Sequence, residues 1–348
     1  MSQITKQILS NYESDSPATK ANLYRFLESG TLAGTGKLVI LPVDQGFEHG
    51  PERSFFPNPA SFDPHYHFQL AIDAKLNGFA APLGMIEAGA DTFAGQIPLI
   101  LKMNSNNSMM RAGSDKEINR QDTNQAVTAT IKDALRLGCN AIGFTIYPSS
   151  DQSLEMYEEV RELIAEAKSH GLVSVVWSYP RGGDLPKEHE TSLDVVSYAA
   201  HIACLLGAHI VKVKPPKATL FEKNATKLLE GQDFSTLSSR IALIKRSCFN
   251  GRRIVIFSGG EAKSEEAVLE EIREIAKGGG NGSIIGRNAF QRSKSDAISL
   301  LDKICGVYHK QTKLDKYGHN TGGDFMREVI GEKFTSINAI QNYYHHNF

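Results

Sequence analysis

Residues 191–214 read TSLDVVSYAAHIACLLGAHIVKVK. From Leu193 to Leu206 the apolar positions recur at three- and four-residue spacing, which predicts an amphipathic helix. Thr191 and Ser192 supply its N-cap, and Gly207 stops it. The next residues, His209–Lys214, form a short β-branched strand that is apolar on both faces except for its lysines. Helix, glycine stop and buried strand together make one step of a repeating βα architecture.

The same step recurs outward from this stretch in both directions. Strand-length apolar runs stand at 37–43 (KLVILPV), 78–83, 97–103 (IPLILKM), 141–147 (AIGFTIY), 173–179 (VSVVWSY), 253–257 and 282–285 (GSII). Helical stretches at 126–137, 154–169 and 265–277 precede Gly138, Gly171 and Gly278, with Ser264 as a further N-cap. The runs number eight, the number that closes a TIM barrel of about 250 residues. An open doubly wound sheet would favour G-x-G-x-x-G at the first βα turn. The chain instead reads Asp44-Gln-Gly-Phe-Glu-His-Gly there, so a single (β/α)8 barrel is the expected fold class. Residues 1–36 and 311–348 are read as N-terminal and C-terminal helical extensions around a barrel at 37–310, with the segment at 22–30 (NLYRFLESG) placed to cap the barrel bottom.

Composition narrows the function classes without choosing among them. The 348 residues carry 38 basic and 39 acidic side chains, so the net charge of −1 argues against a dedicated nucleic-acid binder. No apolar run approaches the length of a membrane span, and the first residues lack the apolar core of a secretory signal. Cys139, Cys204, Cys248 and Cys305 form no CxxC pair, as expected of reduced thiols in a cytoplasmic protein. His65 and His67 lack a third acidic ligand nearby and no HExxH occurs, so no metal site is expected.

In a barrel the chemistry gathers at the C-terminal ends of the strands. Residues two apart on a strand share a face, so Lys212 and Lys214 lie on the face of Ile210. Burial and a neighbouring cation both disfavour the charged form of a lysine there, and a neutral amine is what a carbonyl substrate needs for a Schiff base. The plainer reading is a stem in the core with its head at the rim. Trp177 and Tyr179 share a face of the preceding strand, followed by Arg181: a platform, a phenolic acid/base and an anion clamp, or else ordinary aromatic packing beside a loop arginine. Ser258-Gly259-Gly260 and Gly286-Arg287 end the last two strands, where barrels often hold a phosphate on backbone N–H groups. Asp44 ends the first strand as a proton carrier or a turn residue. Lys102 is placed to meet a second phosphate or to pair with Asp44.

Together these motifs resemble the archaeal-type class I fructose-1,6-bisphosphate aldolases, including their bacterial members. The stretches that carry the resemblance are ILPVDQGFEHG (40–50), WSYPRGG (177–183), GAHIVKVK (207–214), SGG (258–260) and IIGRN (284–288), in the family's order. The resemblance implies a barrel whose Lys212 forms the Schiff base, with Tyr179 as acid/base, Trp177 positioning the substrate and Arg181 beside them. It implies Asp44 as the assistant in proton transfer, and Ser258–Gly260 with Gly286–Arg287 as phosphate loops. It further implies a phosphorylated sugar as substrate, no cofactor, and a homo-oligomer. Many archaeal members carry His where Gln45 stands. Related barrels keep the lysine while acting on other ketones, such as an autoinducer-processing thiolase, so another lysine-dependent aldolase or thiolase is the alternative. Lys102, Arg181, Lys212, Lys214 and Arg287 are expected to make one barrel mouth basic within a neutral chain.

Overall fold

The computed structural model describes residues 1–107, 109, 123–259 and 264–316, the last four of these by backbone alone. Eight parallel strands close a barrel: Leu38–Pro42 (β1), Gly78–Pro82 (β2), Leu99–Lys102 (β3), Ala141–Ile146 (β4), Val173–Ser178 (β5), Ile210–Val213 (β6), Ile254–Ser258 (β7) and Gly282–Ile284 (β8). Each pairs with its successor and β8 returns to β1, with Leu38 opposite Gly282. Every residue of β1, β3, β4, β5 and β6 is buried, which is why these runs show no polar alternation.

Two cores result. Outward-facing residues such as Val39, Leu41, Val211 and Val213 pack against the surrounding helices. Inward-facing residues, among them Leu38, Ile40, Ile100, Val175, Ile210 and Ile256, fill the barrel. Two helices, Gln3–Ser10 and Pro17–Leu27, precede the barrel and contribute Leu9, Leu23, Phe26 and Leu27 to that inner core. Ser16 caps the second of them by accepting from the Thr19 N–H. Between them, the Tyr12 hydroxyl donates to the His209 carbonyl at 2.6 Å and accepts from the Ile254 N–H. Asp15 meets His209 Nε2 at 2.8 Å, while His209 Nδ1 accepts from the Ser174 N–H at 2.9 Å. These contacts fasten the N-terminal segment across the start of β5, β6 and β7, away from the mouth. A helix at Lys294–Lys316 follows the barrel, runs unbroken past position 311, and buries Leu300, Leu301 and Ile304. Residues 317–348 of the expected C-terminal extension lie outside the described residues.

Three local expectations differ from the structure. The helix expected over 126–137 is confined to Ile131–Arg136, because Thr130 and Asp133 form a capping box that starts it there. Ala126–Val127 instead pairs antiparallel with Asn104–Ser105. Ser192 stands at its helix's N-cap but its hydroxyl makes no cap bond; it meets His189 and Thr219. After Lys277 the left-handed turn falls to Gly279, at φ +82, because Gly278 continues at φ −74.

Candidate active site

Lys212 is the third residue of β6, with Trp177 and Ile256 as its strand partners. Its ammonium lies 5.3 Å from the Trp177 ring centroid and 5.4 Å from that of Tyr179, and the residue is 6% exposed. Burial lowers its pKa to about 8. Asp44 and Glu48 oppose the shift, and the cations Lys102 and Lys214 add to it. A lysine in this state reaches its nucleophilic neutral form close to physiological pH.

The aromatic wall beside it depends on a glycine. Gly143 faces inward from β4, and a Cβ there would stand 2.3 Å from Trp177 Cζ3. The absent side chain leaves room for the indole, whose Nε1–H has no hydrogen-bond partner among the described residues. Tyr179 lies just beyond the end of β5, its N–H donating to the Ile146 carbonyl. Burial, together with Asp44 and Glu48, raises its pKa well above the usual phenol value, so it remains a proton donor. Lys214, one residue past β6, lies 5.8 Å over the Tyr179 ring. Glu190 joins Lys214 and Arg181, at 3.6 and 3.8 Å, and the Arg181 guanidinium stacks 5.3 Å over Tyr147.

From the opposite wall, Asp44 precedes a short helix, Gln45–His49, and its carboxylate makes no cap bond there. Glu48 follows one turn later. Burial and the like charge of Asp44 raise its pKa, against the pull of Lys102, Arg181 and Lys212. Lys102, at the end of β3, is 1% exposed and donates to the Asn104 carbonyl and to Asn104 Oδ1, rather than pairing with Asp44. Ser258 ends β7, and the Gly259 N–H faces the Ile284 carbonyl at 3.4 Å. Gly260 lies outside the described residues. Gly286 is pressed against Pro42 and Gln45: a Cβ would stand 2.9 Å from Gln45 Nε2 and 3.0 Å from the Pro42 carbonyl oxygen. Arg287 opens the helix Arg287–Phe290. His49 is pushed down to about 4 by burial and then by Arg53 and Arg287. Among the described residues no group of three or more His, Cys, Asp or Glu side chains converges as a metal site would require.

Residues 38–292, from the first residue of β1 to just past the last strand's loop, match the DeoC/LacD family of aldolases. The chain belongs to that family. As a DeoC/LacD aldolase it is 34% identical over 283 residues to the "Fructose-bisphosphate aldolase class 1" of Thermoproteus tenax, a match spanning 81% of this chain and 93% of that one. It is 33% identical to the "Probable fructose-bisphosphate aldolase class 1" of Chlamydia muridarum over 82% of this chain and 83% of that one. Among solved structures, an archaeal fructose 1,6-bisphosphate aldolase aligns with a TM-score of 0.66 at 32% identity, covering 82% of this chain and 98% of its own.

Four further residues complete this aldolase's mouth. Tyr147, immediately after β4, meets the criterion of a polar residue ending an apolar run; its buried hydroxyl accepts from Gln125 Nε2 at 2.7 Å. Glu48 carries a weaker signal, its one-turn spacing from Asp44. Asn104 and Glu190 carry none: Asn104 lies two residues past Lys102, but its amide is fixed by Thr145 of the neighbouring strand, and Glu190 meets Lys214 from a distant part of the chain.

Proposed function

We infer that the chain is a Schiff-base, class I fructose-bisphosphate aldolase, reversibly cleaving fructose 1,6-bisphosphate to dihydroxyacetone phosphate and glyceraldehyde 3-phosphate. The observation that carries this reading is the Lys212 amine, buried against Trp177 and Tyr179 with its pKa lowered to about 8. A solved relative described as a Schiff base forming fructose-1,6-bisphosphate aldolase shares 31% identity and a TM-score of 0.66.

In this mechanism the neutral Lys212 amine attacks the C2 carbonyl and forms a carbinolamine. Tyr179 protonates the departing hydroxyl, water leaves, and the protonated imine becomes the electron sink. The C4 hydroxyl proton passes to Asp44 as the C3–C4 bond breaks, releasing the aldehyde and leaving an enamine. Asp44 passes that proton to the Tyr179 phenolate, which delivers it to the enamine carbon; water then adds to the resulting imine, freeing Lys212 and returning a proton to Tyr179. Trp177 presents its face to the reacting carbons. Ser258, Gly259 and Gly260 with Gly286 and Arg287 hold one phosphate, while Arg181 and Lys214 serve the other. Residues 1–36 serve as the floor of the barrel. We further propose a cytoplasmic homo-oligomer, a reading supported by four buried free cysteines and by the exposed Tyr198, Leu205 and Leu228.

The test is to incubate the protein with dihydroxyacetone phosphate, reduce with borohydride and map the modified peptide. A stable adduct on Lys212 is the expected result. An adduct on Lys214 alone, or none, overturns the assignment. Cleavage of a ketopentose phosphate in preference to fructose 1,6-bisphosphate would overturn the substrate.

A further inference from the structure

Two lysines, not one, face the Trp177 indole. Lys212 approaches its ring to 5.3 Å and Lys102 to 5.8 Å. Lys102 is held there by Asn104, two residues on and 2% exposed. The Asn104 carboxamide is itself fixed: Oδ1 accepts from the Thr145 N–H at 2.8 Å and Nδ2 donates to the Thr145 carbonyl at 2.8 Å. Because Thr145 offers one donor and one acceptor, only one orientation of the amide satisfies both. The remaining lone pair of Oδ1 and the Asn104 carbonyl oxygen both receive the Lys102 ammonium.

Those acceptors are neutral, and this distinguishes Lys102 from the other cations at the mouth. Lys214 and Arg181 share one carboxylate, Glu190, within 4 Å, which offsets part of their field. Burial disfavours the Lys102 ammonium as well, while Asp44, Glu48 and the two amide oxygens favour it; in a low-dielectric interior the field of that ammonium is weakly screened. The groups facing Lys212 can be enumerated by element. Asp44 and Glu48 come from the segment after β1, Lys102 from β3, Tyr179 from β5 and Lys214 from β6. The inward residues Ile256 of β7 and Ile284 of β8 are apolar. Among the described residues Lys102 has no carboxylate at ion-pair distance; Asp44 and Glu48 act on it, as on Lys212, from further off.

We propose that Lys102, clamped by Asn104, is a positioning residue that acts through its fixed charge behind Trp177 to disfavour a second charge on Lys212. It keeps the Schiff-base amine available rather than binding a phosphate. This rests on the assignment of Lys212 above, and the experiment separates the two. Borohydride trapping with dihydroxyacetone phosphate is followed as a function of pH for the native protein, Lys102→Met and Asn104→Asp, with thermal unfolding recorded alongside.

Lys102→Met removes the charge. Asn104→Asp leaves Lys102 in place but sets a carboxylate against it, so it carries the test if the first variant does not fold. In each, the trapping midpoint is expected to rise by about one pH unit, giving about tenfold slower trapping at neutral pH. A purely structural role would lower stability and leave the midpoint unmoved. An unshifted midpoint in either folded variant therefore overturns the proposal while leaving Lys212 as the nucleophile. Weaker inhibition by inorganic phosphate with an unshifted midpoint would overturn it in favour of a phosphate ligand. Failure of the native protein to form any Lys212 adduct would overturn the Schiff-base reading itself, and this proposal with it.

Discussion

Replacing Gly143 by alanine adds one methyl group, and the structure locates the collision. The new Cβ would lie 2.3 Å from Trp177 Cζ3, 2.6 Å from Cη2 and 3.2 Å from Ile100 Cγ2. Carbon atoms rest at about 3.5–4.0 Å, so the indole must withdraw by somewhat more than about 1 Å. It has little space to do so, being 1% exposed and bracketed by Lys102 and Lys212. Overpacking of this kind costs about 1–3 kcal/mol, offset by about 0.4–1 kcal/mol because alanine restricts the unfolded chain. A net loss of about 1–2 kcal/mol corresponds to a fall in Tm of a few degrees in a domain of this size. Activity falls further, since about 1 Å of misplacement at a reacting centre can cost about a hundredfold in rate. Trp177 is the only tryptophan in the chain, so its emission reports the displacement directly. The expected result is a shifted emission maximum with kcat/KM down about a hundredfold. Unchanged emission together with kcat/KM within about twofold of native would refute the claim that Gly143 makes room for the indole.

Other perturbations follow from the same geometry. Lys212→Met abolishes borohydride trapping yet stabilises the fold at neutral pH. The folded chain disfavours the ammonium, so the native protein is destabilised below pH 8, and the penalty fades as pH rises from about 8 to 10.5. The gap corresponds to about 3 kcal/mol. Chemical denaturation at neutral pH checks it, and a less stable Lys212→Met would contradict the pKa reading. His209→Ala loses about 2–3 kcal/mol, because Asp15 is left buried without its 2.8 Å partner. Since His209 lies at the start of β6, kcat/KM of that variant is expected to stay close to native; a large drop would mean that the floor and the mouth are coupled. Gly286→Ala pushes against Gln45 and the Pro42 carbonyl, which displaces the backbone proposed to hold a phosphate. It should raise KM for fructose 1,6-bisphosphate and weaken inhibition by inorganic phosphate more than it lowers kcat; an unaltered KM would detach that loop from the phosphate.

Much of the fold was legible because a parallel barrel writes itself as continuous apolar runs. Each strand is buried on both sides, so 38–42, 141–146 and 173–178 appear as unbroken apolar or small-residue stretches. The glycines at 138, 171 and 207, at φ +65, +77 and +95, mark the helix ends for a local reason that needs no tertiary context. Where the reading slipped, competition between local signals was responsible. The apolar periodicity from Ala126 suggested a longer helix, but the Thr130 and Asp133 side chains each accept from the other's backbone N–H and set the start there. At Asp194 the carboxylate accepts from the N–H groups of Phe221 and Glu222, partners that no spacing rule anticipates.

The candidate site divides along the same line. Strand parity alone put Lys212 and Lys214 on one face, and Trp177 and Tyr179 on another, because side chains alternate with period two whatever the sheet later does. Which lysine is enclosed is a matter of depth: Lys212 lies within β6, and Lys214 lies past its end, beside Glu190. The sequence carried the βα rhythm, the eight strands and the lysine-bearing face, since these arise from interactions among near neighbours. Only the closed barrel decided that Thr145 fixes the Asn104 amide that holds Lys102, that Gly143 yields its space to Trp177, and that Asp44 and Glu48 face the cations of β3 and β6. Those contacts join residues far apart in the chain, and their energies depend on burial and distance, which come into being only when β8 meets β1.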